Sequence, residues 1–158
     1  MQFDDAVRVL CDAHVDFVVI GGLAATFHGG TLMTCNVEIC YSRAPADLYR
    51  LSAALAPFHP RPRGFPADLP FVWDEQTLGN GTVFTLQTDI GEIDLLAEVT
   101  GLGAFDEVKK HSITVDAFER EVAALDLPGL IQSKKAAGRE KDLAALPELE
   151  SLLEIGRA

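Results

Sequence analysis

The spacing of apolar residues divides this chain into alternating helical and extended segments. Phe3, Ala6, Val7, Leu10 and Cys11 recur at helical intervals and predict a helix over 3–13. The β-branched run Phe17-Val18-Val19-Ile20 predicts a buried strand, and Gly21-Gly22 follows it. Residues 23–28 are helix-forming, and Gly29-Gly30 stops them. A second strand over 35–40 puts Cys35, Val37 and Ile39 on one face and Asn36 and Glu38 on the other. Leu48, Leu51 and Leu55 mark a helix over 44–56 with Pro45 in its first turn. A proline-rich loop, PFHPRPRGFPADLP, comes next.

Residues 74–78 predict a short helix or turn, and Gly79-Asn80-Gly81 predicts a turn. Residues 82–88 alternate as a strand, Asp89-Ile90-Gly91 turns the chain, and 92–98 returns to complete a hairpin. On the return strand Ile93, Leu95 and Ala97 share one face, while Glu92, Asp94 and Leu96 share the other. A helix over 104–109 and short strands over 112–115 and 121–125 follow. Pro128 opens a helix over 127–137. The last helix, over 139–155, has the stripe Leu143, Leu146, Leu149, Leu152 and Leu153. Pro147 falls inside it and predicts a kink or two separate helices.

Composition narrows this picture. A chain of 158 residues, 48% of them hydrophobic, can bury the core of one domain, and no linker divides it. The domain is therefore expected to span 1–158, with a helical C-terminal segment from about residue 127. The formal net charge of −11 argues against non-specific binding to nucleic acid, because an acidic surface repels phosphate backbones. A nucleotide held by one local basic patch remains compatible with it. No apolar run reaches the roughly 20 residues of a membrane helix, and MQFDDAVRVL has neither the charge nor the core of a signal peptide. The 3 cysteines lack CxxC spacing, so we read them as reduced thiols in a cytoplasmic protein.

Candidate chemistry begins at 17–40. A strand, two glycines and a helix can form an anion site, because glycine admits a ligand close to the backbone and a helix start offers free N–H groups. The same residues also fit a tight structural turn. Asn36 and Glu38 share a strand face that would look onto a cleft. His28 fits either a ligand contact or a cation at a helix end. His59, Arg61 and Arg63 form the local basic cluster of the proline-rich loop. That loop reads either as a mobile surface segment or as a lid over phosphate charge.

Taken together these motifs resemble the nucleotidyltransferase superfamily with the polymerase-beta-like fold, and within it small bacterial proteins related to the toxins of type IV toxin–antitoxin systems. The glycine turn matches Gly21-Gly22. The paired acids fall on Asn36-Val37-Glu38, and a third acid falls on Asp94 in GEIDLL. The segment LIQSKKAAGREKD matches the C-terminal helical part, with Lys134 in the basic position. The resemblance implies an α+β fold, a nucleotidyltransferase-like mixed β-sheet flanked by helices, with C-terminal helices. It implies NTP as substrate or ligand at Gly21, Gly22 and Lys134. It implies Mg²⁺ held by Asn36, Glu38 and Asp94, with Glu38 and Asp94 as the catalytic acids.

Two positions depart from the pattern, since Asn36 and Glu38 stand where the family has Asp. An Asn supplies an oxygen without charge. Losing one charge about 4 Å from a cation weakens binding by up to about three orders of magnitude. The longer Glu38 shifts its carboxylate by about 1 Å, enough to cost about a hundredfold in rate. Three readings follow. The chain transfers a nucleoside monophosphate from NTP to an unidentified acceptor, or it binds nucleotide without turnover, or it serves as a protein-binding, toxin–antitoxin-like member.

Overall fold

The computed structural model describes residues 3–31, 34 and 36–157. The chain runs α1 (Phe3–Asp12), β1 (Phe17–Ile20), α2 (Gly21–Phe27), β2 (Asn36–Tyr41) and α3 (Pro45–Leu55). A 3₁₀ turn, Ala56–Phe58, leads to β3 (Arg61–Pro62), α4 (Glu75–Asn80), β4 (Val83–Thr88) and β5 (Gly91–Leu96). A small two-stranded ribbon, β6 (Glu98–Val99) with β7 (Gly103–Ala104), precedes α5 (Phe105–Lys110). The hairpin β8 (Ser112–Ala117) and β9 (Arg120–Leu125) leads into α6 (Leu127–Ala137) and α7 (Glu140–Arg157).

The main sheet has 7 strands in the order β3-β4-β5-β2-β1-β9-β8. It is mixed. β2 runs parallel to β5 and β1 parallel to β9, while the β1–β2, β3–β4, β4–β5 and β8–β9 pairs are antiparallel. The period-two pattern decides the core. Val37, Ile39 and Tyr41 of β2 and Ile93 and Leu95 of β5 are buried, and α1 packs against both strands. The polar positions of β2 and β5 therefore share the opposite face.

Several elements differ from the sequence expectation. β1 passes straight into α2, so Gly21 and Gly22 form its first turn instead of a separate loop. The strand expected from Cys35 begins at Asn36, and Cys35 lies outside the described residues. Residues 79–80 belong to α4, because the Asp74 carboxylate accepts from Thr77 N–H at 2.8 Å and starts a helix that outruns the glycine signal. The strand expected over 92–98 breaks at Ala97. Ala97 N–H bonds to Thr82 at 2.8 Å, and Glu98 then pairs with Ala104 instead of with β4.

Of the two outcomes expected at Pro147, a kink or two helices, the split does not occur, and α7 is one helix through it. The missing N–H deprives Leu143 of its carbonyl partner, but Leu143 is 49% exposed, so water can satisfy that group. The same exposure removes Leu143 from the expected apolar stripe. Leu149 is buried, and Leu146 and Leu153 pack against the core. Cys11 and Cys40 are free thiols, and burial pushes Cys40 up to about 12. Among the described residues no helix is long and apolar enough to cross a membrane.

Candidate nucleotide site

The polar face of β2 and β5 is assembled by register. Asn36 pairs with Glu92, and Glu38 pairs with Asp94, across a parallel ladder. Directly paired residues in neighbouring strands point to one face, so four polar side chains meet there. Sequence periodicity gives each strand its own polar pair. Only the ladder sets the two pairs side by side.

Asp94 is enclosed by donors. The Asn36 amide N–H₂ donates to its Oδ2, and Arg63 Nη2 donates to its Oδ1 at 2.7 Å. Arg63 Nε also lies 3.6 Å from Glu92 Oε2. The Asp94 side chain is 14% exposed and that of Arg63 32%. An ionised carboxylate only accepts, so Asn36 must turn its amide nitrogen, and not its oxygen, towards Asp94.

Glu38 points instead into a cavity of about 110 Å³ between the sheet and the C-terminal helices. Gly21, Ser133, Lys134, Arg139 and Asp142 line it as well. Burial, and then the Asp94 charge, push the Glu38 carboxyl above its ordinary range, while Lys134, Lys141 and Arg139 pull it down. Gly21 is needed beside it for two reasons. Its φ is +64°, and a Cβ there would stand 2.5 Å from Glu38 Oε2. Gly22 has a different neighbour. A Cβ on it would meet Thr34 Cβ at 2.8 Å, so protein packing already accounts for this glycine.

The far wall of the cavity is built at the α6–α7 junction. Asp126 caps α6 by accepting from Gly129 N–H at 2.7 Å, and Gly138 ends it with φ +66°. Asp142 then folds the junction. Its Oδ2 accepts from Arg139 Nε at 2.7 Å and from the Arg139 backbone N–H at 3.3 Å. Its Oδ1 accepts from Lys134 Nζ at 3.4 Å. The backbone contact is half of a capping box at the start of α7. Asp142 is 1% exposed, and hydrogen bonding from Arg139 holds its carboxyl below the ordinary range. Two cations are thus fixed at the cavity wall from below.

Sequence reasoning named Gly21, Gly22, Asn36, Glu38, Asp94 and Lys134. The structure gathers Gly21, Glu38 and Lys134 at one cavity and places Asn36 and Asp94 on the adjoining sheet surface. Gly22 borders a smaller, mostly apolar cleft of about 40 Å³ beside α7. Arg139 and Asp142 lie within LIQSKKAAGREKD, but their spacing there gives no sign of an ion pair shared with Lys134. In the sequence Arg63 shows only as part of the basic loop. His28 turns away from the cavity, its Nε2 2.9 Å from the Leu125 carbonyl oxygen.

The donor set does not suit a divalent cation as it stands. Such an ion needs several free oxygens, preferably carboxylate. Both Asp94 oxygens receive N–H donors and Asn36 presents nitrogen to it. Among the described residues no group of three His, Cys, Asp or Glu side chains could hold a metal ion.

No family model matches the sequence, and no curated protein matches it. Solved structures do. TM1012 from Thermotoga maritima, provisionally described as a nucleotidyltransferase, shares 14% identity over 99% of this chain and 96% of its own, with a TM-score of 0.51. The lincosamide antibiotic adenylyltransferase LnuA, in its lincomycin-bound form, shares 11% identity over 96% of each chain, with a TM-score of 0.60. Likeness at such identities shows the fold alone. The mixed sheet, its flanking helices and the helical C-terminal segment are those of the nucleotidyltransferase fold.

Proposed function

We propose that this chain binds a nucleotide through its phosphates, in the cavity between Gly21 and the α6–α7 junction, and does not turn it over. The observation that carries the reading is the pair Lys134 and Arg139, anchored on buried Asp142 at the wall of that cavity. In a chain of net charge −11, a concave surface where Lys134 and Arg139 balance Glu38 and Asp142 is a local exception to the acidic field. Lys141 adds a third positive charge acting on Glu38. A cavity of about 110 Å³ is too small to enclose a whole nucleotide, so on this reading it takes the phosphates and not the base. The fold supports nucleotide as the anion's class.

The absence of turnover follows from the acids. Nucleotidyl transfer depends on cation charge bridging the phosphates and on an activated acceptor hydroxyl. Here Asp94 is committed to Asn36 and Arg63, and the charge of one family acid is missing at Asn36. Glu38, the remaining acid of the set matched to the family, lines the cavity beside Asp142, and burial pushes its carboxyl above its ordinary range.

Calorimetry with each of the four NTPs, with and without Mg²⁺, tests the reading. Binding of at least one NTP is expected, with an affinity that Mg²⁺ does not raise and that Lys134→Ala lowers about tenfold. No NTP binding under either condition overturns the binding claim. Pyrophosphate release that Asp94→Asn abolishes overturns the claim of no turnover.

A further inference from the structure

The loop that carries Arg63 is built rigidly. Arg61 and Pro62 pair with Gln87 and Leu86 on the outer edge of the sheet, where a proline costs no ladder bond. Arg61 Nη2 donates to the carbonyls of Pro66 and Leu69, each at 2.8 Å, and its guanidinium lies 5.4 Å from the Phe65 ring centroid. Phe65 meets Phe71 edge to face at 5.9 Å. His59 Nδ1 lies 2.6 Å from Asp89 Oδ2. Arg63 N–H donates to Thr85 O at 2.8 Å, and Nη2 reaches Leu86 O at 3.2 Å as well as Asp94. These contacts tie the loop to the sheet edge, and Leu86, Asp94 and Glu92 hold the guanidinium over the β4–β5 surface.

We propose that Arg63 is the resident cation of the acid site: its guanidinium occupies the charge-balancing position at Asp94 and Glu92, so the site takes no divalent metal. Three features of the residues agree. The guanidinium bridges both β5 acids, as a divalent ion would. Asn36 removes one charge from the ligand set and adds an N–H donor to Asp94, which suits a carboxylate shared between donors and opposes metal ligation. Arginine keeps its charge at every accessible pH and matches a carboxylate geometrically, so it needs no solution ion. The inference deepens the proposed function, which has no metal-assisted turnover, but it concerns the acids alone and is tested without nucleotide. Its failure is therefore distinguishable from failure of the nucleotide claim.

The test is Mn²⁺ binding to the full chain, read by water-proton relaxation and by calorimetry, in the natural protein, Arg63→Gln, Asp94→Asn and the double variant. Mn²⁺ accepts the same oxygen ligands as Mg²⁺ and is paramagnetic. The natural protein should show no saturable Asp94-dependent site. Arg63→Gln frees Asp94 and Glu92 beside Glu38, and should gain such a site or tighten Mn²⁺ binding by about tenfold or more. Adding Asp94→Asn to Arg63→Gln should abolish the gain. The proposal is overturned if the natural protein binds Mn²⁺ in an Asp94-dependent way, or if folded Arg63→Gln binds no better than the natural protein. Should Arg63→Gln not fold, Arg63→Lys provides the second variant. It loses the fork but keeps the charge, so like the natural protein it should show no saturable Asp94-dependent Mn²⁺ site. A gain as large as that expected of Arg63→Gln would show that cation charge is not what excludes the metal.

Discussion

Asp142→Asn separates the electrostatic role of this residue from its shape. The substitution keeps the side-chain volume and removes the charge. Asp142 accepts from Arg139 Nε at 2.7 Å, Arg139 Nη2 at 3.3 Å, the Arg139 backbone N–H at 3.3 Å and Lys134 Nζ at 3.4 Å. Hydrogen bonds to charged groups contribute about 1.5–3 kcal/mol each in favourable settings. The four are not additive, and Arg139 is 64% exposed, so water replaces much of what it loses. We expect a loss of about 2 kcal/mol at neutral pH, which for a chain of this size lowers Tm by about 4–8 °C.

The pH dependence gives an independent check on sign. The Asp142 carboxyl is held below its ordinary value of 3.8, first by the Arg139 hydrogen bond. Stability from its ionisation is therefore present above that ordinary value and is lost as pH falls through the folded-state value below it. The deficit of Asp142→Asn should be full at neutral pH and should shrink only in strong acid. Urea denaturation across that range measures both quantities. Unchanged stability at neutral pH would refute the claim that a buried carboxylate ties α6 to α7. A deficit that persists in acid would refute its electrostatic origin.

Other substitutions probe the same frame. Glu38→Gln should raise Tm at neutral pH, because the Glu38 carboxyl is pushed above its ordinary 4.5 by burial and by Asp94. A raised carboxyl withholds stability above its folded-state value, so the advantage should vanish as pH falls below 4.5. Thermal melts across that range decide it. Gly21→Ala should cost about 1–2 kcal/mol from the left-handed backbone alone, and the new Cβ should also displace Glu38, measurable as a weaker NTP affinity. Leu130→Ala, at a residue 1% exposed beneath the cavity, should cost about 2–5 kcal/mol in urea denaturation.

What the sequence determined alone is what depends on local period and local chemistry. Alternation in β2 and β5 fixes which side chains share a face, so Asn36 with Glu38, and Glu92 with Asp94, could be read before any fold was known. Pro128 marks the first turn of α6 within the chain itself. Other features depend on partners far along the chain. The 1–158 pattern does not say that β2 lies parallel to β5 rather than beside another strand, and only that ladder makes one surface of two polar pairs. Arg63 reads as loop charge until β3 pairs with β4 and carries it over Asp94, 31 residues away in sequence. Asp142 reads as a solvated helix acid until α7 packs on α6 and excludes water from it. Leu143 fails in the opposite sense. Its spacing suits a buried stripe, but the face chosen by α7 centres on Leu149 and leaves Leu143 in solvent. Periodicity specifies that a helix has an apolar face. Which residues at its margin are covered is set by the packing partner, and that information is not local.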